Sequence, residues 1–317
     1  MKSMFVGTVL ISMQLLAATA FAGNEGPAGM PMPRPAKAIL TFHNGGAVVP
    51  NPVTTDLVVL DSGVVSAALS SGLSVTVATL SLETIASLAA KIEKLGVLDV
   101  VDPQPRAPMC PGSFGATYTA TNAAGEAVLL GRDYGCHRSR SYNSDANNMI
   151  KLLKGFSSLS YQLLGRLQSN PDADHVEIPV SALPLLEYVV GVAFSPEPMK
   201  DEFQILRDGT IQDHRVYQRR MDPNAPREVL KQYGTLSPFA VDHLMGRVDA
   251  LPLAALIDLQ QGQPVCMDAP FLGYNGYHSN GLKQSIGEMR ACHSLRMPGH
   301  ESDVLIDLLD AMYALTY

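Results

Sequence analysis

The sequence predicts an α+β fold: a tandem duplication of a β-β-(β)-α-β-β-α module, an antiparallel sheet with helices on one face, and one disulfide per module. Three observations predict it. The chain repeats itself collinearly, both copies switch from strand-like to helix-like periodicity at the same places, and the four cysteines fall as two equivalent pairs. A shift of 156 residues lays Thr79-Leu80-Ser81 on Thr235-Leu236-Ser237, Cys110 on Cys266, Tyr118 on Tyr274 and Gly125 on Gly281. The same shift lays Gly131 on Gly287, Cys136-His137 on Cys292-His293, Arg140 on Arg296 and Tyr161 on Tyr317. Upstream the shift is 146, matching Pro50 to Pro196, Leu60 to Leu206 and Gly63 to Gly209. The second copy therefore holds an insertion, placed at 221–227, where Asp222-Pro223-Asn224 and Pro226 spell a loop.

From the N-terminus, residues 1–22 read as a signal peptide: Lys2, an apolar run from Phe5 to Leu16, and small residues ending Ala20-Phe21-Ala22. Export to the periplasm or the medium follows. Residues 23–35 carry Pro27, Pro31, Pro33 and Pro35 and read as a flexible tether. The first repeat is assigned to 36–165, a linker to 166–181 and the second repeat to 182–317.

Within each repeat an apolar segment (Leu57 to Leu60; Phe203 to Leu206) meets a turn at Asp61-Ser62-Gly63 or Arg207-Asp208-Gly209 and resumes, a hairpin signal. A β-rich stretch from Leu73 to Thr79 then runs into Ser81. Ser81 and Ser237 stand where an N-cap belongs, with Pro238 at a tolerated first-turn position. Ile85, Leu88, Ile92 and Leu95, and in the second copy Val241, Leu244, Val248 and Leu251, fall on one helical face. Two strands follow around a turn at Asn122 to Gly125, and at His278 to Gly281 in the second copy. Ile150, Leu153, Phe156 and Leu159, mirrored by Ile306, Leu309, Met312 and Leu315, close each module with a helix. Tyr317, matched by Tyr161, reads as ordinary packing.

An exported chain with an even cysteine count is expected to be oxidised. Cys110 and Cys136 are equidistant from residue 123, and Cys266 and Cys292 from residue 279, each inside a predicted turn, so each pair is expected to staple its own hairpin. Closing such a loop is worth about 3–4 kcal/mol in the chain-entropy model.

Composition narrows the function classes. The chain has 317 residues, 46% apolar and 17% charged, which excludes a disordered polyelectrolyte. A formal charge of -7 leaves no footprint for nucleic acid, and no later apolar run replaces the leader as a membrane span. No nucleophile elbow, H-E-x-x-H, phosphate loop or dinucleotide fingerprint occurs, so no cofactor is indicated.

The sharpest repeated polar pattern is C-H-x-x-R, which offers His137, Arg140, His293 and Arg296 from a loop before each last helix. Guanidinium is suited to gripping a carboxylate. The plainer reading has these side chains bonded to backbone carbonyls or to Asp145 and Glu301. Tyr118 and Tyr274 on the hairpins would be binding anchors if exposed and core packing if not. His293, His300, Glu301 and Asp303 form a local set with metal-ligand chemistry, confined to the second copy. The reading is an exported non-enzymatic binding protein, an inhibitor or envelope-interaction factor, with a protein or envelope component as partner. An exported hydrolase or metal-dependent enzyme with its site in the second repeat is the alternative.

Overall fold

Alternating burial builds the first half. In β1 (Ala38–Gly45), β2 (Thr55–Leu60), β3 (Val64–Leu69) and β4 (Ser74–Leu80), side chains such as Leu57 and Val59, or Val65 and Ala67, are buried while their neighbours are half-exposed. The period then changes to that of a helix. In α1 (Leu82–Leu95) Ile85, Leu88, Ile92 and Leu95 are buried, and the Ser81 hydroxyl accepts from the Thr84 N–H as its cap. β5 (Gly115–Thr121), β6 (Ala127–Tyr134), β7 (His137–Arg140) and α2 (Ser144–Ser169) complete this half. The computed structural model describes residues 35–45, 54–102, 115–135, 137–178, 181–191, 199–217, 227–260, 271–290 and 293–317.

The second half runs through β8 (Pro184–Gly191), β9 (Met199–Leu206), β10 (Thr210–Tyr217), β11 (Glu228–Leu236) and α3 (Pro238–Asp249). It continues with β12 (Ile257–Asp258), β13 (Phe271–Tyr277), β14 (Lys283–Arg290), β15 (His293–Arg296) and α4 (His300–Tyr313). Ser237 caps α3 through the Ala240 N–H, with Pro238 in the first turn. In place of β12 the first half has a single bridge between Val101 and Arg140.

All fifteen strands join one antiparallel sheet in the order β12-β15-β14-β13-β8-β9-β10-β11-β4-β3-β2-β1-β5-β6-β7. Read outward from the β11–β4 seam, the two directions meet corresponding strands in the same sequence. The seam is short, pairing Gly234 with Leu80, Thr235 with Thr79 and Leu236 with Ala78. It is extended by two N–H donors at its ends, Ser81 to the Tyr233 carbonyl (2.7 Å) and Ser237 to the Val77 carbonyl (2.8 Å). One buried apolar cluster runs across it, from Leu40 and Leu57 through Phe156 to Phe203 and Leu309. α2 and α4 lie against each other where Gly155 meets Ala311. Residues Ala38–Tyr317 form a single compact unit; of the preceding residues only 35–37 are described, and they carry no helix or strand.

Several expectations need correction. Each half contains more strand than the β-β-(β)-α-β-β-α reading, because β1 and β8 precede the first hairpin and the C-H-x-x-R segments are the strands β7 and β15 rather than loops. Those polar segments are strands because β6 and β14 hold them: Tyr134 pairs with His137 and Arg290 with His293. α2 runs to Ser169, into the span assigned to the linker. The hairpin registers are centred further along than residues 123 and 279, since Gly115 faces Tyr134 and Leu272 faces Met289. Equidistance from the expected turn is therefore not the pairing rule of these strands. The four cysteines, the leader at 1–22, the tether at 23–35 except Pro35, and the insertion at 221–227 except Arg227 lie outside the described residues. Among the described residues no helix is long and apolar enough to cross a membrane.

Candidate functional site

The histidines and arginines of the C-H-x-x-R segments are held by carboxylates, of which Asp303 alone stands among the candidates the sequence offers. His137 Nδ1 lies 2.6 Å from Asp102 and His293 Nδ1 2.8 Å from Asp258, the same pair at the same 156-residue offset. Each pair ties the last ladder strand to the segment beside it. Arg140 meets Asp133 at 2.5 Å and Arg296 meets Asp303 at 3.1 Å. Arg140 also donates to the backbone carbonyls of Arg132 (3.1 Å) and Ser139 (2.8 Å), as the plainer reading expects, whereas Asp145 and Glu301 are not the acceptors; Glu301 is bound by Arg247. Of the His293, His300, Glu301 and Asp303 set, His293, Glu301 and Asp303 are thus drawn to Asp258, Arg247 and Arg296, and among the described residues no group of three or more His, Cys, Asp or Glu is placed to hold a metal ion.

Tyr118 and Tyr274 are buried rather than exposed anchors. Their hydroxyls donate to Asp133 and Asp310, both at 2.9 Å. Burial would raise the Asp133 carboxyl, but Lys154, Arg140 and Tyr118 outweigh it and hold it below the ordinary carboxylate range. At Asp310 burial, helped by the neighbouring Asp307, outweighs the pull of the Tyr274 hydroxyl, Arg296 and Lys151, and its carboxyl is raised.

Two grooves lie between α2 and α4. One, of about 690 Å³, opens toward β5 and is lined by Phe42, Tyr118, Lys154, Tyr161, His300 and Asp307. The other, of about 630 Å³, opens toward β13 and is walled by Tyr188, Tyr274, Tyr313 and Tyr317, with Asp307 and Asp310 on α4 and Lys151 on α2. Tyr188 sits 4.8 Å from Tyr274 and 4.7 Å, edge-on, from Tyr313, whose ring in turn meets Tyr317 at 5.5 Å. Tyr317 and Tyr161 are among the most exposed aromatic side chains, not ordinary packing.

Behind the tyrosine groove is a buried charged cluster. Asp201 on β9 and Asp213 on β10 are each 2% exposed, and Arg215, the cross-strand partner of Asp201, brings its Nε to 3.3 Å from one and 2.9 Å from the other. The Tyr313 hydroxyl donates to Asp201 (3.1 Å) and the Tyr233 hydroxyl approaches Asp213 (3.5 Å). The second carboxylate oxygen of each aspartate has no hydrogen-bond donor among the described residues. Burial, then the neighbouring Asp201, push the Asp213 carboxyl up to about 7 against the pull of Arg215.

A second buried acid shows the contrast. Glu187, facing the opposite side of the sheet, accepts from Gln204, Asn275, Tyr277 and Lys283 at 2.8–3.2 Å and stays ionised, its carboxyl held low by Lys283 although burial opposes this. One acid is saturated with donors; the other pair lacks them.

This cluster was readable in principle. Asp201, Phe203 and Ile205, and Ile211, Asp213 and Arg215, alternate along strands whose first-half counterparts at the 146 offset are Thr55, Leu57 and Val59, and Val65, Ala67 and Leu69. Charge at core-facing strand positions is the sequence signal of this cluster. Comparison with family models, curated proteins and solved structures finds no match to the chain.

Proposed function

We propose that the chain is an exported, non-enzymatic binding protein built by tandem duplication of one module, and that the tyrosine groove of the second module is where it holds its partner. The observation that carries this reading is the groove wall itself. Tyr317 is the exposed member of an aromatic stack that Tyr313 continues inward to the buried Tyr188 and Tyr274, so the ring a partner meets is backed by pre-ordered rings, and tyrosine offers contact area with little rotamer entropy to lose. The first-half positions matching Tyr188, Tyr274, Tyr313 and Tyr317 are Phe42, Tyr118, Ser157 and Tyr161, so the complete wall belongs to one copy. Duplication followed by such divergence leaves one half as scaffold and frees the other to specialise.

Asp307 and Asp310 beside aromatic faces offer a cationic side chain Coulomb attraction and the negative face of the ring; of the two lysines across the groove, Lys154 is engaged by Asp133 and Lys151 is the competing cation. The partner in this reading is a protein segment presenting lysine or arginine. With no tryptophan to mask it, tyrosine emission is readable, and four of the 11 tyrosines wall the groove, so the Tyr317 variant isolates the groove's share of the signal. Titration with short arginine-containing peptides is expected to change that emission saturably, and less so in Asp307→Asn and Tyr317→Ala. A saturable change of equal size in all three proteins, or none in the unmodified chain, would refute the assignment.

The alternative of an acid–base enzyme has the Asp201–Asp213 pair in its favour, since paired carboxylates with a near-neutral proton are suited to proton transfer. Both carboxylates are buried behind Tyr313, which leaves a substrate no approach in this conformation.

A further inference from the structure

We propose that Asp201 and Asp213 share a single proton through neutral pH, and that its departure is transmitted to the tyrosine groove through Tyr313. The argument begins with charge. Two buried carboxylates face one guanidinium, Arg215, so the fully ionised cluster carries an uncompensated negative charge in the core. One retained proton makes the cluster neutral. The same proton supplies what the hydrogen-bond arrangement lacks, because the Oδ1 atoms of both aspartates have no donor among the described residues, and a carboxyl O–H donating to a carboxylate provides one.

The surrounding groups add no second cation. On β11, Lys231 is the register partner of Asp213, yet its ammonium turns to Glu83 at 3.3 Å and lies over the Tyr233 ring. On β8, Asp201 faces Val190. From α4 come Tyr313, Asp310 and, beyond it, Tyr317, all neutral or acidic; Tyr233 on β11 and Tyr188 on β8 are further titratable neighbours, and burial keeps their phenols and that of Tyr313 protonated.

Tyr313 joins the cluster to the groove. Its hydroxyl donates to Asp201, while its ring sits between Phe203 (5.8 Å) and Tyr188 (4.7 Å) and forms part of the groove wall. Ionisation of the pair strengthens the demand on that hydroxyl and on Arg215, and therefore moves a ring that lines the groove.

The test needs no ligand, so it stands or falls apart from the peptide titration above. Side-chain carboxyl carbon resonances of the full chain, followed against pH by NMR, are expected to show one Asp201–Asp213 titration in the neutral range, with the Tyr313 ring resonances following the same midpoint. The neutral-range titration should vanish in Asp213→Asn, whose amide replaces the carboxyl donor; Asp201→Asn is the second variant should the first not fold. Acid-range titration of both carboxyls in the folded wild-type chain overturns the shared proton. Tyr313 resonances that ignore the midpoint overturn the coupling.

Discussion

Gly155 on α2 lies directly against Ala311 on α4, so close that a Cβ built on Gly155 would fall inside the Ala311 methyl. The two positions are related by the 156-residue offset of the sequence, so the helices cross at matching points. Gly155→Ala adds helix propensity worth up to about 1 kcal/mol, but it must drive the helices apart in a filled core, where overpacking costs about 1–3 kcal/mol. The net expectation is destabilisation, read as a lower urea midpoint with unchanged slope. A midpoint at or above wild type would mean that the crossing relaxes freely.

Gly234 makes the corresponding demand at the seam. A side chain there meets the Thr79 carbonyl at 2.5 Å and the Leu80 Cα at 2.7 Å, backbone atoms that cannot swing aside. Since the ladder has three residue pairs, Gly234→Ala should open β11 from β4, at a cost of about 1–3 kcal/mol. Amide exchange gives the local reading: the Ser81 and Ser237 N–H groups, which donate across the seam, should lose protection relative to β2 and β10. Unchanged protection at those two amides would contradict the seam's dependence on this glycine.

Much of this framework was legible in the residues. Ser81 and Ser237 cap the helices they were expected to cap, and Gly63 and Gly209 occupy the hairpin turns with φ of +92° and +87°. Those features depend on local chemistry, which sequence reports well. β7 and β15 escaped because His137-Arg138-Ser139-Arg140 and His293-Ser294-Leu295-Arg296 carry little apolar alternation; they are strands by virtue of the neighbours that pair with them. Asp102 and Asp258 escaped for a related reason, being 35 residues from the histidines they bind. The buried Asp201–Asp213 pair was visible as charge on the core side of two strands, but its meaning rests on Tyr313, more than a hundred residues away.

Asp213 gives a stability signature of known sign. Its carboxyl is raised from 3.8 to about 7 in the folded chain, so between those values the folded state binds the extra proton. Stability is full below the unfolded value, declines as pH rises toward 7, and is level beyond. Each pH unit in that window is worth about 1.4 kcal/mol at most, and relaxation of the coupled pair brings the whole effect to the order of 2–4 kcal/mol. Asp213→Asn should therefore gain on wild type steadily from pH 4 to pH 7 in urea denaturation, then hold a constant margin. A margin independent of pH would show that the pair carries no extra proton.

His243 acts in an overlapping window with the opposite sign. Burial, then the Arg247 and Arg166 guanidiniums, depress its imidazole to about 4, and its Nε2 meets the Gln162 side-chain oxygen at 2.7 Å. The unfolded chain takes up this proton near 6.5 while the folded chain refuses it, so stability is full above 6.5 and is lost as pH falls toward 4. Partial exposure of the site scales the loss to about 1–2 kcal/mol. Because Asp213 gains over the same acidic range, the wild-type profile between pH 4 and 6.5 should look flatter than either group alone would make it. His243→Gln removes only the imidazole contribution, so its stability should rise relative to wild type on acidification, while Asp213→Asn should fall relative to wild type. Two variants moving in the same direction would show that the flat profile has another origin.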